Sequence, residues 1–355
     1  MTAKLHSLNR TTRSNLITYG IVIVAYAIMQ SLKSGGMLTS SLSGQLVPIC
    51  AYIVMAISLN LTVGIMGELS LGHAGFMSVG AFTGVITAVS LQNALPLGGV
   101  RLALAMVVGG IFAGLVSLIV VIPVLRLQGD YLAIVTLAFG EIIKNLINCL
   151  YVGVDGTGLH ISMKNAAALG MDPNGTAILQ GPMGALGITK LSSLTAGFLL
   201  ILLSLAVVLN LVNSRAGRAI MALRDNRIAA ESIGISPVRY KIMAFVTSAV
   251  LAGMAGALFA MNFSTVVAKK FDFNTSILVL VFVVLGGIGN IRGSIIAAAA
   301  LTILPELLRQ FSDYRMLVYA IVLILMMLVT NNPTLKVFFG SLRGKFRKGA
   351  ADHVL

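Results

Sequence analysis

The sequence predicts an all-α integral membrane protein, a polytopic bundle of about ten transmembrane spans with both termini in the cytoplasm. Three observations predict it. First, 57% of the 355 residues are hydrophobic and only 10% are charged, with a mean hydropathy of +0.98. Water-facing domains carry about 25% charged residues, so this chain cannot cover an aqueous surface. Second, the apolar residues fall into ten runs, and at ~20 residues per crossing ten spans take roughly 200 residues. Third, the Lys and Arg residues behind the net charge of +14 sit in the connectors between runs. There they act as topology determinants, not as a phosphate-binding face, so no nucleic-acid partner is expected. A soluble enzyme and a disordered chain are excluded on the same grounds.

The elements follow in order. Residues 1–15 form a polar, basic tail with Lys4, Arg10 and Arg13, and the run Leu16 to Gln30 comes next. A signal peptide has this pattern too, but the long apolar segments behind it favour an uncleaved first span. Further runs lie at 44–67, 69–91, 102–124, 131–151, 193–213, 242–264, 276–288, 294–308 and 316–330, so the membrane domain covers 16–330. The runs at 276–288 and 294–308 are short, and Gly286-Gly287-Ile288-Gly289-Asn290 breaks them apart. They are two tilted spans or partly re-entrant pieces, the second reading giving eight spans. Broken backbone at membrane depth is tolerated only beside protein or a cavity. A basic tail, 331–355, closes the chain.

With the N-terminus inside and ten spans, sixteen of the 25 Lys and Arg residues fall on the cytoplasmic side and eight outside, with Lys144 inside a span. The positive-inside rule then sets both termini in the cytoplasm. Two connectors stand out. Residues 152–192 form an external, Gly/Pro-rich loop with little helical periodicity, a surface for something outside to contact. Residues 214–241 form a cytoplasmic loop with six basic and two acidic side chains.

Many of the 37 glycines lie inside spans, with Gly80/Gly84 and Gly110/Gly114 at GxxxG spacing. Small residues let helices approach where lipid supplies no hydrophobic drive between them. Tight intramolecular packing is expected there in preference to a dimer seam. Cys50 and Cys149 both lie in apolar runs without a CxxC, which makes them packing residues. His6, His73, His160 and His353 are too scattered for a ligand set, so neither metal nor cofactor is expected.

The cytoplasmic loop carries the most local information. Asp225 or Asn226 can cap a short helix through Arg227 to Ile233. Gly234 is placed to end it in the left-handed conformation, and Ser236-Pro237 opens the next helix as cap and first position. Such a short helix held against the bilayer can serve a partner as a lever; the alternative is a solvated basic connector. In the run 131–151, Glu141, Lys144, Asn145 and Asn148 share one helical face. Ionisable groups in a span usually face a bundle interior or a water-filled cavity. Alternatively, Glu141 and Lys144 pair locally while Lys144 snorkels outward. Glu68-Leu-Ser70-Leu-Gly72-His73-Ala-Gly75 interrupts the second and third runs and suggests a broken helix near a solute path. His73 suits a structural hydrogen bond there as well as solute contact. No GxxxxGK[ST] loop exists, so the chain cannot cradle ATP phosphates by itself. Chains of membrane Asp, Glu and His resembling a proton relay are absent as well.

Five motifs in register carry a resemblance. They are Glu68 to Gly75, Gly129 to Ile142, Arg224 to Lys241, Leu285 to Ser294, and Leu304-Pro-Glu-Leu-Leu308. Together, over roughly residues 45 to 330, they resemble the membrane permeases of branched-chain amino acid ABC importers, nearest the LivM-type subunit. The resemblance implies a transport subunit without catalytic residues, multi-pass in a bacterial inner membrane. It implies a heterodimer with a second related permease, two ABC ATPase subunits and an external binding protein. It also implies an ATPase-coupling helix at about Asp225 to Gly234, involving Arg224, Asp225, Arg227, Ala229, Ala230, Glu231 and Gly234. The order of Ala229-Ala230-Glu231 and Gly234 matches the general EAA-type loop only in composition. Ser70, Gly72, His73, Glu141, Lys144 and Asn145 are the candidate pathway residues. Related permeases carry branched-chain or other hydrophobic amino acids, amides or urea. Two other readings compete with the importer. One is an ion-coupled secondary transporter using Glu141, Lys144 and His73. The other is a channel for a small neutral solute lined by Gly-rich broken helices.

Overall fold

The computed structural model describes residues 10–36, 39–92, 94–124, 130–156, 158–171 and 175–308, together with 317, 318, 320, 321 and 324. The tail 331–355, residues 1–9 and most of the run 316–330 lie outside the described residues. The chain divides into two units, residues 1–299 and 300–355.

In the first unit the order is α1 (Arg10–Ser34), α2 (Ser40–Asn60), α3 (His73–Ser90), α4 (Gly98–Val124) and α5 (Asp130–Asn148). The strands β1 (Tyr151–Asp155), β2 (Gly158–Ser162) and β3 (Thr176–Gln180) follow. Then come α6 (Leu194–Asn213), α7 (Arg215–Asp225), α8 (Arg227–Ser232), α9 (Pro237–Ala260), α10 (Phe273–Gly286) and α11 (Ile291–Leu307). The second unit holds the last turns of α11, which contains Pro305, and helical positions at 317, 318, 320, 321 and 324.

Among the described residues seven helices are long and apolar enough to cross a membrane, and they coincide with the first seven apolar runs. α10 has 14 residues and α11 has 17. At 1.5 Å per residue, α10 is roughly 21 Å long and falls short of a ~30 Å hydrocarbon core.

α2 is the central helix. Every residue from Leu46 to Asn60 except Tyr52 is buried, and the burial continues through a π-helical turn, Leu61–Met66. In lipid apolarity alone does not require this; Ser58 and Asn60 do, since their polar groups find partners on neighbouring helices. α1 is the opposite case: Ile17, Ile23, Val24 and Ile28 are about half exposed, as expected of side chains that face lipid.

Small residues settle how α3, α4 and α9 pack. A Cβ on Gly80 would lie 2.1 Å from the Gly253 carbonyl oxygen, and one on Gly256 would lie 1.9 Å from that of Met77. Gly110 and Gly114 pack against Val250 of α9 in the same way. Both GxxxG pairs are thus spent inside the chain, which is the packing the sequence favoured.

The expectation of an all-helical chain holds for the spans but not for the segment after α5. β1 lies between β2 and β3 and runs antiparallel to both, with Val152 opposite Ile161 and Leu179. Ala185 and Val266 exchange backbone hydrogen bonds of 2.9 and 3.0 Å, tying this layer to the chain that leaves α9. These strands are five residues long, and Gly153 interrupts β1, so no alternating run is long enough to announce them. The sheet precedes α6 and α7 follows it. The two layers therefore sit at opposite ends of a 20-residue helix, roughly 30 Å apart.

Candidate functional site

The connector 214–241 is not a loop but two short helices and the start of α9. Ser214 caps α7 by accepting from the Gly217 amide at 3.2 Å, and Gly217, Ala219, Ile220 and Leu223 form its buried face. That apolar spacing and the cap were readable in the sequence, but eight charged side chains in the connector masked them. Asn226, and not Asp225, caps α8, accepting from the Ala229 amide at 3.0 Å. Gly234 ends α8 at φ +85°, and the Ile235 amide reaches back to the Ala230 carbonyl at 3.1 Å. Pro237 occupies the first turn of α9 behind Ser236, whose hydroxyl makes no capping bond.

This arrangement sorts the candidate coupling residues. Ala229 and Glu231 are exposed, with Glu231 accepting from Arg227 at 2.7 Å. Ala230 belongs to the other face: it is 3% exposed and pins α8 inward, out of a partner's reach. The helix presents two apolar side chains that the sequence reading had not singled out, Ile228 at 81% and Ile233 at 76% exposure.

α7 and α9 are anchored to the bundle by charge. Arg224 grips Asp225 with two nitrogens at 2.8 and 2.9 Å and sends a third to the Gly64 carbonyl in the π turn at 3.0 Å. On α9, Lys241 pairs with Glu68, and both side chains are nearly buried.

From Glu68 the chain runs without helical structure to His73, where α3 begins. The depth it gains can be read against α9. Glu68 binds Lys241, whereas His73 binds Ser58 at 2.8 Å, and the Ser58 carbonyl accepts from Ser248 at 2.6 Å. Lys241 and Ser248 are seven residues apart on one helix, so the segment climbs about 10 Å into the bundle. Such backbone needs protein or water around it. Here Leu71 donates its amide to Thr136 of α5 at 3.1 Å, and the Ala74 amide donates to Ser276 of α10 at 3.1 Å. Gly72 is pressed so closely on α5 that a Cβ would lie 1.9 Å from the Thr136 carbonyl oxygen. Among the described residues the Ser70 hydroxyl, 1% exposed, has no hydrogen-bond partner.

His73 is 2% exposed. The Ser58 hydroxyl has one proton, which the Met55 carbonyl accepts at 2.9 Å, so His73 Nε2–H donates to Ser58 Oγ. Glu141 and Lys144 pair with each other on α5, and Asn145 is exposed. Glu141 lines a shallow hollow with Leu71, Gly75, Asp272 and Ser276, which also receives the start of α10. The structure thus brings the 68–75 segment and the Glu141 face together, while His73 bonds to α2 on the other side. Asn60, Thr136, Ser248 and Ser276 went unnoticed in the sequence. Their partners lie at least 65 residues away, except where the hydroxyls also bond within their own helix, and no periodicity marks them.

The sequence profile described as "Branched-chain amino acid transport system / permease component" matches residues 41–330. The high-affinity branched-chain amino acid transport system permease protein LivM of Salmonella typhimurium is 35% identical, over 92% of this chain and 77% of the relative. LivM of Escherichia coli is 37% identical, over 83% of this chain and 71% of the relative. The E. coli permease protein LivH is more distant, at 24% identity over 78% of this chain and 89% of its own length. No solved structure matches. The chain belongs to the branched-chain amino acid permease family, is of the LivM type, and is a multi-pass membrane protein.

Proposed function

From that membership we propose that the chain is a permease subunit of an ATP-binding-cassette importer for branched-chain or other hydrophobic amino acids. It forms the pathway with a second, related permease, receives solute from an external binding protein, and takes its energy from two ATPase subunits. It lies in the inner membrane of a bacterial cell. About ten spans put both termini and the α7–α8 layer in the cytoplasm and the sheet layer outside, in keeping with the charge asymmetry. Labelling of Ser232→Cys from the external side of sealed cells, with Cys50 and Cys149 removed, would overturn that orientation.

The observation that carries the reading is the α7–α8 element: a short capped helix, anchored to the bundle through Arg224, that offers Ile228 and Ile233 to solvent. Burying each of these side chains in a partner's groove is worth about 1.5–3 kcal/mol, which suits docking of an ATPase subunit. Arg227 and Glu231 flank them as a charged rim, where pairs set orientation more than affinity.

Reconstitution of the chain with its related permease, ATPases and binding protein is expected to give leucine, isoleucine or valine uptake that depends on ATP. Uptake by the chain alone under an imposed ion gradient would favour the secondary-transporter reading. The same preparation tests the lever. A Cβ on Gly234 meets nothing within 4 Å, so Gly234→Val acts through its backbone alone, at roughly 1 kcal/mol or more. Gly234→Val and Glu231→Arg should both insert at normal levels and lose substrate-stimulated ATP hydrolysis by about tenfold. Full ATP-driven uptake in both variants would reduce α8 to a tether.

A further inference from the structure

We infer that Arg224, Gly64 and Asn60 are the mechanical link that carries displacement of the α7–α8 element to the reversal between α10 and α11. The inference rests on the coupling role proposed above and adds the residues through which it acts.

The link begins at the π turn. The Gly64 carbonyl lies near the end of that turn, where no following helical turn claims it, and it accepts from Arg224 Nη1 at 3.0 Å. Gly64 has no slack on its other side. A Cβ there would lie 1.9 Å from Asn60 Oδ1 and 2.4 Å from the Gly289 amide nitrogen, so the π turn and the reversal are in backbone contact. Asn60 then closes the joint in both directions. Its Oδ1 accepts from the Gly289 amide at 2.9 Å, and its Nδ2 donates to Ser294 Oγ at 2.9 Å. Asn60 and Ser294 are both 0% exposed, so no water can replace the bond between them if the elements part.

The far end of the link is itself stiff. A Cβ on Gly293 would lie 1.7 Å from the Gly286 carbonyl oxygen, so the two arms of the reversal touch backbone to backbone. Gly287 at φ +92° and Gly289 at φ +81° make the turn between them. A shift of α7 therefore pulls on the reversal through the Arg224–Gly64 hydrogen bond, backed by the Arg224 stem packed against Gly67, and moves it for as long as that bond holds. Ile288, at the tip, is 60% exposed and can report the motion.

The test uses Ile288→Cys in a Cys50→Ala, Cys149→Ser background, assembled with the partner subunits. Maleimide labelling is compared without nucleotide and with ATP arrested by vanadate. The parent rate is expected to differ by about tenfold between the two states. Adding Arg224→Gln should erase that difference, and so should Ser294→Ala, which removes one hydroxyl and little volume. The two together should do no more than either alone, because they interrupt one chain. If Arg224→Gln fails to assemble, Ser294→Ala decides the matter by itself. State-independent labelling in the parent, or full state dependence in either single variant once assembled, would each overturn the link. A parent complex without ATP-driven uptake would instead refute the proposed function, since the link is only at issue in a complex that transports.

Discussion

Gly256→Leu is expected to leave almost no folded protein in the membrane. A Cβ at this position would sit 1.9 Å from the Met77 carbonyl oxygen and 3.0 Å from the Ala81 amide nitrogen. Both are backbone atoms of α3 and cannot rotate aside as a side chain would. The helices must separate, and the Gly80–Gly253 contact opens with them. In lipid, close packing and interhelical hydrogen bonds hold helices together, so separation is not repaid by apolar burial elsewhere. The loss should exceed ~4 kcal/mol, the range reserved for overpacked cores and other exceptional changes. Gly99→Leu, where nothing lies within 4 Å, is the control. Fluorescence-detected size exclusion of detergent extracts reads the outcome. A monodisperse peak of parental height and melting temperature for Gly256→Leu would show that α3 and α9 do not cross this closely.

The second large effect concerns the pair at the foot of the broken helix. Glu68→Gln is expected to destabilise the protein by about 3–5 kcal/mol, the cost of leaving a buried charge without its partner. Lys241 and Glu68 have side chains only 12% and 14% exposed, so water cannot take over the lost bond. Replacing both with leucine removes the unpaired charge and should cost much less than either single change. The exchange Glu68→Lys with Lys241→Glu should recover most of the loss. Thermal aggregation midpoints in detergent give the order: parent and double-leucine variant high, exchange variant near them, single variants low. Single variants that melt with the parent would mean that the pair is solvated and does not hold the 68–73 segment in place.

Legibility in the sequence followed range. A cap at Asp225 or Asn226, a stop at Gly234 and a restart at Pro237 are legible in the sequence, because each rests on atoms within five residues of chain, and the structure selects Asn226. The break at Glu68 to Gly75 was read as a break, but its climb into the bundle was not. That climb depends on where Lys241 stands, 173 residues from Glu68, and where Ser248 stands, 190 residues from the Ser58 that holds His73. The polar stripe on α5 was seen as four residues on one face, and the choice between pairing and lining a cavity was open. The fold shows the Glu141–Lys144 pair and the hollow beside Glu141 together. Ala230 was expected among the coupling contacts, yet its neighbours in the sequence could not tell which side of a six-residue helix is buried.

Composition and the spacing of apolar runs determined by themselves that this chain lives in a bilayer, where its first seven long helices lie, and that the backbone breaks between Glu68 and Gly75. These follow from local rules: backbone amides in lipid must be satisfied within the segment, and glycine, proline and polar caps decide where that satisfaction ends. Tertiary structure alone decided which glycines are seams, which hydroxyls are partners, and that Arg224 meets Gly64 and Asn60 meets Gly289 across 160 and 229 residues. The reason is physical. Lipid gives no hydrophobic preference between one helix face and another, so small differences in shape and a few buried hydrogen bonds select the packing. Those differences have no period along the chain and exist only once the helices have met.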